Sequence, residues 1–207
     1  DGSLFGTLCA IDPESQSEAI VQDMEMVELL GQLLSLILQA ELRQIEQVRQ
    51  HELLQEEASK DELTGLYNRR AWDKLLRAEE ERCKQYGHPA AVLFIDLNDL
   101  KKINDSLGHE QGDTLIKNAA QVLRDNVRMN DIVARLGGDE FVILSLENDE
   151  TATKSLLDRL VDAFAEANIG AAIGMAMRHP THGLHEALAQ ADKNMFVYKR
   201  QKKSSQS

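Results

Sequence analysis

The sequence predicts an α/β domain, with a mixed α+β layer structure, preceded by one long helix. Two observations favour the α/β class. Apolar runs typical of buried strands, at residues 90–95 and 169–176, alternate with segments in which apolar residues recur every three or four positions. Between them, two β-rich runs are joined by Gly137 and Gly138, which is typical of a hairpin because glycine reaches positive φ without steric cost.

The composition limits the class of partner. The chain has 207 residues and a net charge of −12, which argues against a nucleic-acid-binding surface. It leaves room for a nucleotide, because metal ions and a few lysines can offset phosphate charge. No apolar run approaches the roughly 18 residues of a membrane span. Two cysteines, Cys9 and Cys83, indicate no disulfide framework, so we expect a cytoplasmic protein. The chain lacks an initial Met and a signal peptide, which predicts a natural N-terminus further upstream.

The first seventeen residues are predicted to end another domain. Residues 4–13 read LFGTLCAIDP, a strand that ends in a turn. This stretch resembles the last strand of a GAF sensory domain. We therefore expect residues 1–17 to be the C-terminal remnant of a GAF-like domain whose ligand-binding part lies outside this chain.

Residues 18–60 are predicted to form a signalling helix. They contain no proline, and Gly31 is their only glycine. Apolar residues follow helical spacing at Val27, Leu30, Leu34, Leu38, Leu42 and Ile45. The pattern predicts a parallel coiled coil in a dimer. For residues 27–38, where the apolar stripe is wide, packing against the chain's own domain is an equally good interpretation.

The remaining chain alternates helices and strands. In order, we predict a helix capped by Asn68 and ended by Gly87, a strand over 90–95, helices over 100–107 and 111–126, the hairpin, a helix around 156–164, a strand over 169–176 and a last helix over 184–198. We expect a frayed tail from residue 202, with the domain itself ending at 203 and a tail over 204–207.

Carboxylates stand at two strand ends. Asp96 closes the buried strand, where an unpaired charge costs several kcal/mol and therefore needs a cation or donors. Asp139 and Glu140 follow the hairpin turn side by side, and strand geometry sends neighbouring side chains to opposite faces, so the two cannot share one role. Taken singly, such residues are more often caps or solvated charges.

Five motifs together identify a family resemblance. They are DELTGLYNRR at 61–70, FID at 94–96, KKIND at 101–105 with GH at 108–109 and GD at 112–113, RLGGDEF at 135–141, and AD at 191–192 with Lys199. On these motifs, residues 61–203 resemble the diguanylate cyclases of the GGDEF family. The resemblance implies a palm-like fold akin to nucleotide cyclases, with a central mixed, largely antiparallel sheet wrapped by helices.

The resemblance also implies a metal site. It assigns two magnesium ions, with manganese as an alternative, to Asp96, Asp139 and the backbone carbonyl of Leu97. Magnesium suits this set, because it takes one or two carboxylates, keeps waters and shares substrate phosphates. Two ions can clamp the attacking and leaving oxygens of a phosphoryl displacement. For Glu140, three roles stay open: tuning the metals, deprotonating the attacking hydroxyl, or anchoring the hairpin.

The resemblance also assigns guanine recognition to Asn104 and Asp113. A carboxylate can accept from both N1–H and the amino group of guanine, whereas adenine offers an acceptor at N1, so buried pairing would exclude ATP. The alternative is that Asn104 caps one helix and Asp113 starts another.

Phosphate binding is expected around the turn before the helix at residue 100, where backbone N–H groups favour anions. The family resemblance assigns phosphate contacts to Asp99, Leu100, Lys101, Lys199 and Lys203. Two departures from the family are expected to weaken GTP binding: Asp99 adds negative charge, and Lys203 replaces an arginine and so loses its bidentate fork.

An inhibitory site for cyclic di-GMP is implied at Arg128 and Asp131, which have the family's Arg-x-x-Asp form. The leading hypothesis is therefore a homodimeric diguanylate cyclase that condenses two GTP to cyclic di-GMP and two pyrophosphates, with product feedback. One alternative is a catalytically weak domain that senses or relays cyclic di-GMP. Another is a dimerisation fragment governed by its sensory partner.

Overall fold

The structure, a computed structural model, describes the backbone of residues 24–204 and the side chains of residues 26, 28–47 and 58–201. The chain divides into two units, one up to Ala58 and one from Ser59 onward. The predicted GAF-like strand at residues 4–13 lies outside the described residues. Within the described part, no helix combines the length and the apolar character that crossing a membrane requires.

The first unit contributes one helix, α1, Met24–Glu57, of 34 residues. A helix here agrees with the helical spacing of the apolar residues, and its role as a signalling helix stays a prediction. The large apolar side chains that the structure describes on this helix are 41–68% exposed in the single chain. They are Met26, Leu29, Leu30, Leu33, Leu34, Leu36, Ile37, Leu38, Leu42 and Ile45. The coiled coil that would cover them stays a prediction.

The second unit is a sheet wrapped by helices. Its elements are β1 Tyr67–Asn68, α2 Arg69–Tyr86, β2 Ala90–Leu97, α3 Leu100–Leu107, α4 His109–Asn126, β3 Ile132–Gly137, β4 Glu140–Leu146, α5 Glu150–Glu166, β5 Ala171–Met177 and α6 Gly183–Ser204. The strand order is β1-β3-β4-β2-β5. Only the β1–β3 pair is parallel among these pairings, so the mixed, largely antiparallel sheet is confirmed.

The sheet is buried on both faces. One face packs Leu93, Ile95 and Phe141 against α4 and α5, and the other packs Val92 and Phe94 against α2 and α6. Because β2 is central, its side chains from Ala90 to Ile95 are all buried, which is why it reads as a continuous apolar run rather than an alternating one.

The helix ends follow local sequence. Asn68 caps α2 by accepting a hydrogen bond from the Ala71 N–H at 3.0 Å, and Gly87 ends α2 with φ of 73°. α6 continues to Ser204, so the tail expected from residue 202 is not seen in the backbone up to that residue. Strand β1 was not predicted, since two residues carry no periodicity. The domain boundaries at 17, 60 and 203 stay predictions.

A buried ion pair ties α2 to the opposite end of the chain. Arg178 donates two hydrogen bonds to the Glu80 carboxylate at 2.9 and 2.8 Å, and the Leu184 N–H donates a third at 2.8 Å. The hydrogen bond from Arg178 holds the pKa of Glu80 below its usual value, although burial opposes this. Breaking such a pair leaves a buried charge unpaired, so the contact fixes the start of α6 against α2.

Candidate functional site

The β3–β4 hairpin meets the end of β2 at one edge of the sheet. Its turn uses positive φ at Gly137 (146°) and Gly138 (51°). The Leu97 N–H donates to the Asp139 carbonyl at 3.0 Å. This bond brings the hairpin turn to the end of β2, so Asp96, Leu97 and Asp139 lie at the same edge of the sheet.

The register places Glu140 opposite Asp96. The two residues are Cα partners across β2 and β4, and such pairs project their side chains from the same face. Glu140 is therefore part of a cluster of carboxylates. Burial raises the pKa of Glu140 above its usual value, and the charges of Asp139, Asp96 and Asp192 add to the effect, while Arg69 opposes it.

Two arginines, one on α2 and one on β3, form hydrogen bonds that hold the hairpin turn in place. Arg69 donates from Nε to the Leu136 carbonyl at 2.9 Å and pairs with Glu140 at 3.5 Å. Arg135 donates to the Gly138 carbonyl at 3.1 and 2.9 Å, and to both Asp61 oxygens at 3.2 Å. Sequence reasoning assigned no role to these arginines. Asp61 and Arg135 stand 74 positions apart, and nothing in either motif indicates their contact.

Asp61 organises the turn that precedes β1. Its carboxylate accepts from the Thr64 N–H at 2.9 Å and from the Thr64 hydroxyl at 2.6 Å. Burial opposes ionisation, but these bonds and the charge of Arg135 outweigh it and hold the pKa of Asp61 below its usual value. The start of the domain is thus joined to the hairpin by an ionised carboxylate.

A cavity of about 660 Å³ opens beside the strand-end carboxylates. It is lined by Leu97, Asn98, Asp99, Leu100, Lys101, Lys102, Asp105, Asp139, Gly170, Ala172 and Lys199. The residues predicted to contact phosphate therefore line one cavity, except Lys203, whose side chain lies outside the described residues. Lys199 reaches across from α6, and its Nζ donates to Asp96 Oδ1.

The turn into α3 has its own ion pair. Asp99 adopts a left-handed conformation with φ of 61°, and its carboxylate pairs with Lys102 at 2.7 Å. The negative charge that Asp99 adds near the phosphate site is therefore partly offset locally. This contact weakens the expectation that Asp99 opposes an anionic ligand.

The oxygens that the family resemblance assigns to a metal are of the kind that magnesium prefers. They are the carboxylates of Asp96 and Asp139 and the backbone carbonyl of Leu97. Nowhere in the described part of the chain do three or more His, Cys, Asp or Glu side chains group to hold a metal ion. A cation here would need further oxygens from water or from a bound phosphate, which is how magnesium is usually held.

Asn104 carries an unpartnered oxygen. Its Oδ1 is buried and has no hydrogen-bond partner among the described residues. A Cβ at Gly112 would lie 1.9 Å from this oxygen, so a larger residue there would displace the Asn104 side chain from this position. A buried acceptor without a partner costs about 1–3 kcal/mol, which favours a ligand N–H as its missing donor.

Asp113 lies on the exposed surface of α4, one residue after Gly112. The alternative roles suggested for Asn104 and Asp113 are wrong. Asp99 and Gly108 occupy the N-cap positions of α3 and α4, whereas Asn104 and Asp113 lie inside these helices.

The residues of the expected inhibitory site lie at the other end of β3. Asp131 accepts from the Arg128 N–H at 3.0 Å and from the Leu146 N–H at 3.3 Å, while Arg128 donates from its guanidinium to Asn148 at 2.9 Å. A cavity of about 190 Å³ joins them to Arg159 of α5. Sequence reasoning missed Arg159, because only the packing of α5 beside this loop reveals it.

Comparison with known proteins agrees with this geometry. The model of the family described as "Diguanylate cyclase, GGDEF domain" matches residues 58–205. The chain is 32% identical to diguanylate cyclase DgcP of Escherichia coli over 218 aligned residues, 99% of this chain and 63% of that protein. It is 40% identical over 116 residues to cyclic di-GMP phosphodiesterase NbdA of Pseudomonas aeruginosa, 56% of this chain and 15% of that protein. The chain thus spans less than two thirds of these relatives.

Among solved structures, the coiled coil and GGDEF domain of DgcB from Caulobacter crescentus, in complex with c-di-GMP, superposes with a TM-score of 0.71. The two are 25% identical, and the match covers 81% of this chain and 94% of that one. The residues that the family model matches, 58–205, include the hairpin, the strand-end carboxylates and the cavity described above. The chain therefore belongs to the GGDEF family of diguanylate cyclase domains.

Proposed function

We propose that this chain is a diguanylate cyclase that condenses two GTP molecules to cyclic di-GMP and two pyrophosphates. The observation that carries the proposal is the cavity in which Asp139 and the end of β2 meet Lys101 and Lys199. Carboxylates for a metal and lysines for phosphates stand together there. The relatives named diguanylate cyclases support the same reaction.

Each residue set has a proposed task. Asp96, Asp139 and the Leu97 carbonyl would hold magnesium, or manganese, which supplies charge stabilisation to the reacting phosphate. Backbone N–H groups at the start of α3 and the lysines bind the triphosphate. Asn104 and Asp113 bind the guanine edge, and the orphaned Asn104 oxygen supports this role.

For Glu140 we propose proton acceptance from the attacking 3′-hydroxyl. A carboxylate whose pKa is raised holds a proton more firmly at neutral pH than an ordinary one, which favours this task. The contact with Arg69 also supports the anchoring role, and the two roles are compatible because Arg69 uses only one carboxylate oxygen.

Assembly and feedback complete the proposal. One domain binds one GTP, so the reaction requires two domains facing each other, and α1 would bring them together as a coiled coil between residues 18 and 60. Product would bind at Arg128, Asp131 and Arg159 and restrain the two half-sites from meeting. The remnant of a GAF-like domain at residues 1–17 would relay a signal into α1.

The test is product formation by the purified chain. With GTP and magnesium we expect cyclic di-GMP by chromatography and mass spectrometry, and no cyclic di-AMP from ATP. Asp139→Asn keeps the side-chain shape but removes charge, and should reduce turnover by at least about a hundredfold. Asp73→Asn, at an exposed position on α2, is the matched control and should keep the wild-type rate.

Absence of product from GTP, or near wild-type turnover by Asp139→Asn, would contradict the proposal. A second candidate is a domain that binds cyclic di-GMP without making it. The relationship to a phosphodiesterase and the separate cavity at Arg128 favour this candidate. Binding of cyclic di-GMP by a chain that leaves GTP unchanged would establish it instead.

A further inference from the structure

Lys199 occupies a fixed position against the site of the proposed metal. Its Nζ donates to Asp96 Oδ1, and the two side chains are only 25% and 17% exposed. The helix that carries Lys199 packs closely on β5, since a Cβ at Gly174 of β5 would lie 2.1 Å from the Met195 backbone nitrogen. Direct backbone contact between β5 and α6, one turn before Lys199, therefore sets where the ammonium group can reach.

The three lysines of the cavity differ in their partners. Lys102 is paired with Asp99, and Lys199 is paired with Asp96. Lys101 lines the same cavity but forms no ion pair with any residue in the described part of the chain. Only Lys199 therefore neutralises a carboxylate that the proposed function assigns to a metal.

We propose that Lys199 is an internal counter-ion of Asp96 that a metal ion must displace, so that metal and nucleotide load this site cooperatively. The inference rests on the proposed function. A cation that binds Asp96 leaves the partly buried ammonium of Lys199 without its partner. An unpaired charge at a partly buried position is energetically costly. The phosphates of an incoming nucleotide give the ammonium a new partner within the same cavity.

The consequence is a thermodynamic coupling with a definite sign. Metal alone binds weakly, because it must leave Lys199 without a partner. Nucleotide phosphates relieve that penalty and so tighten metal binding, and by reciprocity metal tightens nucleotide binding. Removing the ammonium should strengthen metal binding in the absence of nucleotide and should reduce the further gain that nucleotide brings.

The experiment measures Mn²⁺ binding to the full chain by electron paramagnetic resonance of the free ion. It is run without nucleotide and with the non-cyclising analogue guanosine 5′-(α,β-methylene)triphosphate. For Lys199→Met we expect metal affinity without nucleotide to rise by about tenfold, a typical size for such coupling. Lys199→Gln, which keeps a polar side chain, should also raise the metal affinity in the absence of nucleotide.

Lys193→Met is the control, because it removes one positive charge from an exposed position of the same helix outside the cavity. It should change Mn²⁺ affinity by no more than about twofold, as expected of an exposed charge in high dielectric. Equal effects of Lys199→Met and Lys193→Met, or no effect of either, would overturn the inference.

The same experiment distinguishes failure of the proposed function from failure of the counter-ion inference. If wild type binds no Mn²⁺ even with the analogue, then the metal site itself is wrong. If wild type binds Mn²⁺ with the analogue, and Lys199→Met neither strengthens binding without nucleotide nor reduces the gain with it, only the counter-ion inference fails.

Discussion

At the scale of single residues, two adjacent carboxylates at the hairpin have different environments. Asp139 follows the turn and faces the cavity with the lysines, whereas Glu140 lies opposite Asp96 within the sheet. The raised pKa of Glu140 reflects burial among other carboxylates, with Arg69 offering partial relief. An ionisable side chain whose surroundings disfavour its charged form is typical of a functional site rather than of a stabilising contact.

We predict that Glu140→Gln stabilises the metal-free protein at neutral pH. The folded-state pKa of Glu140 is raised, so its stability contribution is complete below the ordinary pKa and is lost as the pH rises through the raised value. The variant should therefore have a higher Tm than wild type at pH 7–8, and the difference should vanish below about pH 4.

Thermal denaturation followed by circular dichroism across this pH range, with chelator present, measures the effect. Glu62→Gln, an exposed position outside the cluster, is the control and should show no such pH-dependent gain. A lower Tm for Glu140→Gln at pH 8 would show that the ion pair with Arg69 outweighs burial.

At the scale of elements, β3 separates two binding regions. The cavity at Arg128 lies before its first residue, and the hairpin turn lies at its end, about 17 Å away at the usual rise per strand residue. Product bound at the proposed site near Arg128 would therefore lie apart from the proposed nucleotide cavity. Feedback from that site would act through the arrangement of whole domains.

We predict that Arg128→Ala weakens binding of cyclic di-GMP by roughly ten- to a hundredfold, since charge-assisted hydrogen bonds contribute about 1.5–3 kcal/mol each. Arg159→Ala should also weaken binding, because its guanidinium, held by the Asn126 carbonyl at 3.1 and 2.7 Å, lines the same cavity. Titration calorimetry with cyclic di-GMP measures both variants.

The control is Arg77→Ala, which removes an exposed arginine from α2. Progress curves with added product supply the second readout, in which Arg128→Ala should be inhibited less than wild type. If Arg128→Ala and Arg77→Ala bind product with equal affinity, then the contacts of Arg128 and Asp131 stabilise the loop and do not bind product.

At the scale of the whole molecule, the second unit contains both hydrophobic clusters, and α1 carries exposed apolar side chains. The unit from Ser59 therefore has its own core, whereas α1 has apolar surface suited to a second copy. The rate of catalysis between two domains would depend on the fraction of domains that are associated as dimers.

We predict that removing residues 1–58 lowers specific activity and makes it rise with protein concentration. Ser59 is kept, because its carbonyl accepts from the Asn68 N–H at 2.9 Å. Cyclase rates over a hundredfold range of protein concentration, together with light scattering, measure the effect. In the full chain, replacing Leu34 and Leu38 with serine should also lower specific activity and make it rise with protein concentration. Replacing the neighbouring Gln32 with serine should have neither effect. Specific activity independent of concentration in the shortened chain would show that α1 does not assemble the site.

Local sequence determined much of this protein. The apolar run before Asp96 predicted a central strand, Asn68 and Gly87 predicted the ends of a helix, and Gly137 and Gly138 predicted the hairpin turn. These features depend on backbone geometry and on burial within a few residues, which a sequence expresses directly. The motifs then indicated the family, and with it a mixed, largely antiparallel sheet that periodicity alone cannot give.

Tertiary structure decided what depends on contacts between distant segments. Arg135 with Asp61, Lys199 with Asp96, and the placing of Arg159 beside Arg128 each join segments that only the folded sheet and its helices bring together. The sequence also left Glu140 with three open roles, because its neighbours are set by strand register. Long-range electrostatics depends on distance and burial in three dimensions, and neither quantity is a property of position along the chain.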